Sequence, residues 1–377
     1  MKARFSPALV REDLRDFAGY SSARTSHTGA PARIWLNANE AASASAIDPE
    51  GKQRRYPQPQ PRDLVEVLAS CYGVDPAMVI TGRGSDEVID VIVRAVCLPG
   101  ADGIVISSPT FGMYAVSARL HGVPVHDVPQ TDHGDRWSVD VAAIAHTVRE
   151  TKSKIVFLAS PGNPTGSVIP TADLLWLATE LSDAALLVVD EAYQEFSDQP
   201  SVAYQIGDQP NIAVLRTLSK AHGLAGARVG TGIMHPQFAQ VLSRVQAPYP
   251  VPEPVRAIAV AALGDVARAA TEERIQATIT LRSELAQILA GLSSVTATYA
   301  GQANFVLVRS TGPDAVLRLL AEHGIVVRDM RHLPGLQDAI RVTVGTAADL
   351  EAIRAAFTES GAGKSPIDVD QAKQRIT

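Results

Sequence analysis

Between about residues 60 and 245 the chain repeats one pattern: a short unbroken apolar run, then a segment whose apolar residues share a helical face. The runs "MVIT" (78–81), "GIVIS" (103–107), "KIVFLA" (154–159), "ALLVVD" (185–190) and "IAVLRT" (212–217) lack the alternation of a half-exposed strand. Strands of this kind are covered on both faces, which calls for a mostly parallel sheet with helices above and below. In "SDEVIDVIVRAV" Val88, Val91, Ile92, Ala95 and Val96 form one apolar stripe. Ser85 is expected to cap this helix, with Asp86 and Glu87 suited to its positive first turn.

A chain of 377 residues exceeds one core of ordinary size, so two domains are expected. The proline-rich "QAPYPVPEPV" (246–255) reads as irregular and marks the change between them. Beyond it come a helix over 271–292 and strands at 303–309, 325–329 and 339–344. A helix over 313–324 and another over 346–357 complete a smaller α+β domain, the second opened by a Thr346–Asp349 capping box. The expected division is an N-terminal arm and part of the small domain over 1–34, and a large domain over 35–250. The small domain follows over 251–360, with a disordered tail over 361–377.

The net charge of −6 gives no general attraction to nucleic acid or an acidic membrane surface. Cys71 and Cys97 are too few for a zinc cluster or a disulfide framework, and no metal site is expected. Charges within the first twenty residues interrupt any signal-peptide core, and no stretch is apolar and long enough to span a bilayer. A cytoplasmic protein is the expectation.

Ligands of open α/β sheets bind outside the carboxyl ends of the strands. Four runs end there in polar groups: Asp190 and Tyr193 in "DEAY", Asn163 in "SPGNPTG", Ser219 and Lys220 after Thr217, and "GRGSDE" after Thr81. Singly, each has a plain structural reading: a buried acid or helix cap, a tight turn, a solvated lysine, a helix start. Together, in this order, they suit pyridoxal 5′-phosphate, whose aldehyde, ring nitrogen, phenolic oxygen and phosphate each need a partner.

On that reading Lys220 bonds the aldehyde and later moves the substrate proton, and Asp190 holds the ring nitrogen cationic. Asn163 and Tyr193 hydrogen-bond the phenolic oxygen. Gly84, Ser85, Ser219 and Arg228 take the phosphate, with Asp86 and Thr217 in the same binding set. Phe111 is a candidate to stack on the ring. A nicotinamide site is disfavoured because "GRGSDE" lacks the third glycine of the dinucleotide fingerprint.

With these residues assembled, the chain resembles the fold type I pyridoxal-phosphate aminotransferases, and more narrowly the histidinol-phosphate aminotransferase family. The resemblance runs over about residues 14–357 and rests on "WLNANE" (35–40), "RYPQPQP" (55–61), "SPTFGMYAVSA" (108–118), "SPGNPTG" (160–166), "VVDEAYQEF" (188–196), "LRTLSKAHGLAGARVG" (215–230), "APYPVPEP" (247–254) and "IRVTVGT" (340–346). It implies a seven-stranded large-domain sheet, a homodimer with shared active sites, and histidinol phosphate and glutamate or 2-oxoglutarate as substrates. It further implies Arg341 for the substrate α-carboxylate, Tyr20 and Arg328 for the substrate's phosphate, and Asn37 near the entrance. Tyr56 would reach the cofactor phosphate of the neighbouring subunit. A threonine-phosphate decarboxylase and a broad aromatic aminotransferase are the nearest rivals on the same fold. His222 departs from the family's apolar aromatic and is read as a packed histidine; Ser85 replaces a usual alanine.

Overall fold

A computed structural model of the chain describes residues 4–20 and 34–359; the expected tail and part of the N-terminal arm lie outside them. The first strands in chain order are β1 (Val79–Arg83), β2 (Ile104–Ile106) and β3 (Val125–Asp127), then a two-stranded ribbon of β4 (Thr131–Asp132) and β5 (Trp137–Ser138). Next come β6 (Ile155–Ala159), β7 (Leu186–Asp190), β8 (Ile212–Thr217) and β9 (Val229–Met234). Seven of them form one sheet in the order β1-β9-β8-β7-β6-β2-β3. It is parallel except at β9, which runs antiparallel to both β1 and β8.

The unbroken apolar runs are explained by two cores, one on each face of this sheet. Val156, Leu158, Leu187, Val189, Ile212 and Val214 point to one, with Leu64, Leu68, Leu174 and Leu177 from covering helices. Ile155, Phe157, Leu186, Val188, Ala213 and Leu215 point to the other, with Ile89, Ile92, Val93 and Phe238. Complete burial of such a side chain contributes about 1.5–3 kcal/mol relative to exposure.

β9 was not among the expected strands because "VGTGIM" carries two glycines, which weaken a strand reading. Its glycines answer to crowding. A Cβ on Gly230 would overlap the backbone of Gly84 and Ser85, and one on Gly232 would strike Val88 and Ile80. The helix Ser85–Val96 can therefore lie close against the sheet.

Helix starts also differ from expectation. Gly84, at φ 79°, is the N-cap of that helix, and Ser85 is its first residue with no side-chain capping bond. Instead, Glu87 accepts the Arg83 N–H at 2.6 Å. In the proline-rich segment, Glu253, Pro254 and Val255 open the helix Glu253–Ala262, since a proline is tolerated in a first turn. That helix buries Ala259 in the large core. Phe5, Leu9 and Val10 of the N-terminal arm likewise pack beside Ile89 and Phe238, rather than with the small domain to which part of the arm was assigned.

The smaller sheet comprises β10 (Val295–Tyr299), β11 (Phe305–Ser310), β12 (Arg328–Asp329) and β13 (Ala339–Thr343), in the antiparallel order β10-β11-β13-β12. The helices Asp265–Ala290, Pro313–Glu322 and Ala347–Glu359 cover it through Leu285, Leu289, Leu320, Ile353 and Phe357. The last is capped as expected: Thr346 N–H donates to Asp349 Oδ2 at 2.7 Å, and Asp349 N–H to Thr346 Oγ1 at 3.2 Å. No described helix is long and apolar enough to cross a membrane.

Candidate active site

Three parallel strands end side by side: Ala159 of β6 pairs with Asp190 of β7, and Asp190 with Leu215 of β8, which runs on to Thr217. Beside them the exit of β1 meets the start of β9, with Arg83 opposite Val229. Arg228 therefore stands at the mouth of the helix that Gly84 opens. A cavity of about 260 Å³ sits at this junction. It is lined by Ser85, Asp86, Phe111, Asn163, Asp190, Tyr193, Thr217, Ser219, Lys220, Arg228 and Arg341, all named from the sequence, and by Tyr114, which was not.

Asp190 forms the buried floor. Its Oδ2 accepts the Tyr114 hydroxyl at 2.7 Å and its Oδ1 the Ala192 N–H at 3.1 Å. Burial pushes its carboxyl up to about 6, against the lowering effect of these two donors. Tyr114 lies three residues after Phe111 on a helix face, is wholly buried, and stacks on Phe157 at 4.9 Å. Its position in a helical apolar pattern makes it look like plain core; only the hydroxyl aimed at Asp190 distinguishes it. Phe111 lies edge-on to Tyr114 at 5.6 Å.

Tyr193 is held by an edge contact with Phe305 of β11, 5.2 Å between ring centres, and burial pushes its phenol up to about 12. It is therefore a neutral hydrogen-bond donor at any working pH. The Lys220 amine stands 5.6 Å over the Tyr193 ring. Loss of hydration first, and the Arg341 charge second, hold that amine below the ordinary lysine value.

The anion end is built from backbone and cations. Arg228 donates to Asp86 Oδ2 at 3.1 Å and to Ser219 Oγ at 3.5 Å, and Ser219 is tied to Thr217 Oγ1 through its own N–H at 3.1 Å. A Cβ on Gly84 would collide with the Arg228 guanidinium, so glycine keeps the helix amides open beside it. Helix-terminal amides, a hydroxyl and a guanidinium form a donor set suited to a phosphate.

Arg341 enters from the small sheet. It donates to Asn163 Oδ1, lies 5.0 Å from the Phe305 ring centre, and leaves its Nε buried without a partner. Directly opposite it on β12 is the exposed Arg328, whose charge, after burial, lowers Arg341 below the usual arginine value. Arg328 does not line the cavity itself, nor do Tyr20, Asn37 and Tyr56. Those three are exposed, and Tyr56 stacks on Tyr249 at 5.0 Å.

The chain resembles known proteins along most of its length. The pattern of the family "Aminotransferase class I and II" matches residues 24–357. A histidinol-phosphate aminotransferase of Xanthomonas euvesicatoria pv. vesicatoria is 48% identical over 338 residues, 90% of this chain and 93% of that one. One from Stenotrophomonas maltophilia is 46% identical over 351 residues, covering 93% and 96%. The crystal structure of histidinol-phosphate aminotransferase from Sinorhizobium meliloti, in complex with pyridoxal-5′-phosphate, superposes with a TM-score of 0.73 at 28% identity, covering 85% of this chain and 89% of that one.

Proposed function

The chain belongs to the class I and II aminotransferases, and we propose that it transfers the amino group between L-histidinol phosphate and 2-oxoglutarate, giving imidazole acetol phosphate and glutamate. Its cofactor is pyridoxal 5′-phosphate, which the donor set of the cavity fits group by group and which accompanies the Sinorhizobium meliloti relative. When bound, this group supplies an electron sink that acidifies the Cα–H of an attached amine.

Lys220 would hold the aldehyde, and its amine, once freed, would carry the proton at the substrate Cα. An amine held below its ordinary pKa serves as a base more readily near neutral pH. Asp190, as the carboxylate, keeps the ring nitrogen protonated, and the Tyr114 hydroxyl bond favours that charged form. Asn163 and Tyr193 orient the ring. Gly84, Ser85, Ser219 and Arg228 carry the cofactor phosphate, and Asp86 fixes the Arg228 guanidinium.

One observation carries the choice of substrate: Arg341 and Arg328 oppose each other across β13 and β12 beside the cavity. Like charges directly opposite destabilise a sheet unless an anion lies between them. Arg341 would take the carboxylate of glutamate, and Arg328 with Tyr20 would complete the contact for the doubly charged phosphate of histidinol phosphate. Asn37 would stand near the entrance.

The protein acts as a cytoplasmic homodimer. The exposed Tyr56, stacked on a half-buried Tyr249, together with the outward-facing Leu36 at 91% and Ile47 at 95% exposure, supports cover by a second copy. Tyr56 would then reach the phosphate of the adjoining subunit's cofactor.

A coupled assay with histidinol phosphate, phenylalanine and phosphothreonine tests the reading. The expected result is ping-pong turnover of histidinol phosphate far above phenylalanine. Carbon dioxide release from phosphothreonine without an amino acceptor would make the protein a decarboxylase instead.

A further inference from the structure

Behind the cavity lies a buried charged cluster that the proposed reaction does not use. The segments 190–196 and 216–222 send side chains in two directions. Asp190, Tyr193, Thr217, Ser219 and Lys220 face the cavity, whereas away from it Arg216 bonds Glu191 and Glu195, and His222 packs beside Glu195. Arg216 donates to Glu195 Oε1 at 2.8 Å and to Glu191 Oε2 at 3.2 Å, with side chains 9%, 12% and 2% exposed. Glu191 is itself held by the Val202 N–H at 2.8 Å and the Ser201 hydroxyl at 2.6 Å. His222, 5% exposed, sets Nε2 at 4.0 Å from Glu195 Oε1 and leaves Nδ1 without a hydrogen-bond partner.

Desolvating so many polar groups offsets much of what their attraction returns, so such a cluster is weak evidence for stability; fixing one arrangement of the chain is its better-attested use. Here the fixed arrangement is between the two segments that carry the chemistry. His222 lies two residues from Lys220 on one turn, closed by the Gly223 N–H to the Lys220 carbonyl at 3.1 Å. Arg274 holds the intervening Ala221 carbonyl at 3.3 Å from outside. Any rotation of the turn that moves His222 off Glu195 also moves the lysine.

We propose that His222 is a positioning residue: packed against Glu195, which Arg216 holds in place, it keeps the turn bearing Lys220 against the segment bearing Asp190 and Tyr193, and so sets where the lysine amine stands over the cofactor. The inference rests on Lys220 holding that cofactor. The two fail differently: a wild-type enzyme with no pH-titratable cofactor absorbance sinks the underlying reading, whereas a wild-type band that titrates beside unmoved variants sinks only this one.

The test is a pH titration of the visible absorbance of the cofactor-loaded enzyme, for wild type, His222→Phe, Glu195→Gln and the double variant. The single variants are expected to move the midpoint by roughly half a unit or more, because protonation of the lysine-bound cofactor responds to where the lysine is held. The double variant should move it no further than the larger single shift, as members of one network are not additive. Midpoints equal to wild type alongside a lowered thermal midpoint would make His222 a packing residue and overturn the proposal, and so would fully additive shifts. Should His222→Phe not fold, Glu195→Gln decides alone, an unmoved midpoint overturning it.

Discussion

The Tyr114 hydroxyl donates to Asp190 Oδ2 at 2.7 Å from a wholly buried position, so the carboxylate beneath the cavity is tuned more by a phenol than by the nearby Lys220 charge. A hydrogen bond to a charged group contributes about 1.5–3 kcal/mol. Tyr114→Phe is therefore expected to weaken cofactor affinity roughly ten- to a hundredfold, measured by absorbance titration. It should also move the acid limb of activity to higher pH, because the lost donor was one of the groups lowering Asp190.

Asp190 titrates at about 6 in the folded protein and near 3.8 in an unfolded chain. Between those values the folded state binds more protons, so this group's contribution to stability is full below about 3.8 and is lost as pH rises through 6. Cofactor-free Asp190→Asn should gain stability over wild type across that window, by about 3 kcal/mol at most, while binding cofactor poorly. Urea melts of both apoproteins at pH 4 and pH 8 measure it. An equal gap at the two pH values would contradict the assignment.

Lys220→Ala should retain the fold, lose the visible band of covalently held cofactor, and lose nearly all turnover. Borohydride reduction of wild type should fix the cofactor on residue 220, located by peptide mass. Label on any other lysine would end the scheme.

Arg328→Gln separates the two substrates. It is expected to lower kcat/KM for histidinol phosphate by roughly ten- to a hundredfold, with a smaller effect on glutamate. The thermal midpoint of the apoprotein should hold or rise slightly, since a like charge opposite Arg341 is gone. Equal losses for both substrates would remove the phosphate-selective contact.

Gly230→Ala puts a methyl group into the Gly84 and Ser85 backbone, where no flexible side chain can yield. Overpacking of this kind costs about 1–3 kcal/mol or more, read from denaturant midpoints. Ordinary stability in the variant would mean that the strand and the helix are less tightly apposed than described.

The sequence was most readable where burial is symmetrical. β6, β7 and β8 are apolar on both faces, so their runs stand out, and the polar residues that stop them stand out equally. β3, "VHD" at the sheet's edge, and β9, thinned by Gly230 and Gly232, give no such run and are defined by their neighbours. Asp190 could be named because it is a charge where an apolar run should continue, and Lys220 and Arg228 because they follow such a run among small residues. Arg341 came only through family resemblance, since its approach to Asn163 depends on how the small sheet meets the large one. Tyr114 was missed because a tyrosine on an apolar helix face looks like packing until its hydroxyl partner is known.

The contact of Gly230 with the peptide joining Gly84 and Ser85 leaves the anion-gripping corner without slack. Lengthening or bulging that corner would pry the helix off the strand beneath it. A descendant of this chain adapted to a bulkier cofactor or a different amine would have to change on the side lined by Arg341, which reaches the cavity from the small sheet through a long side chain rather than through backbone pressed on backbone.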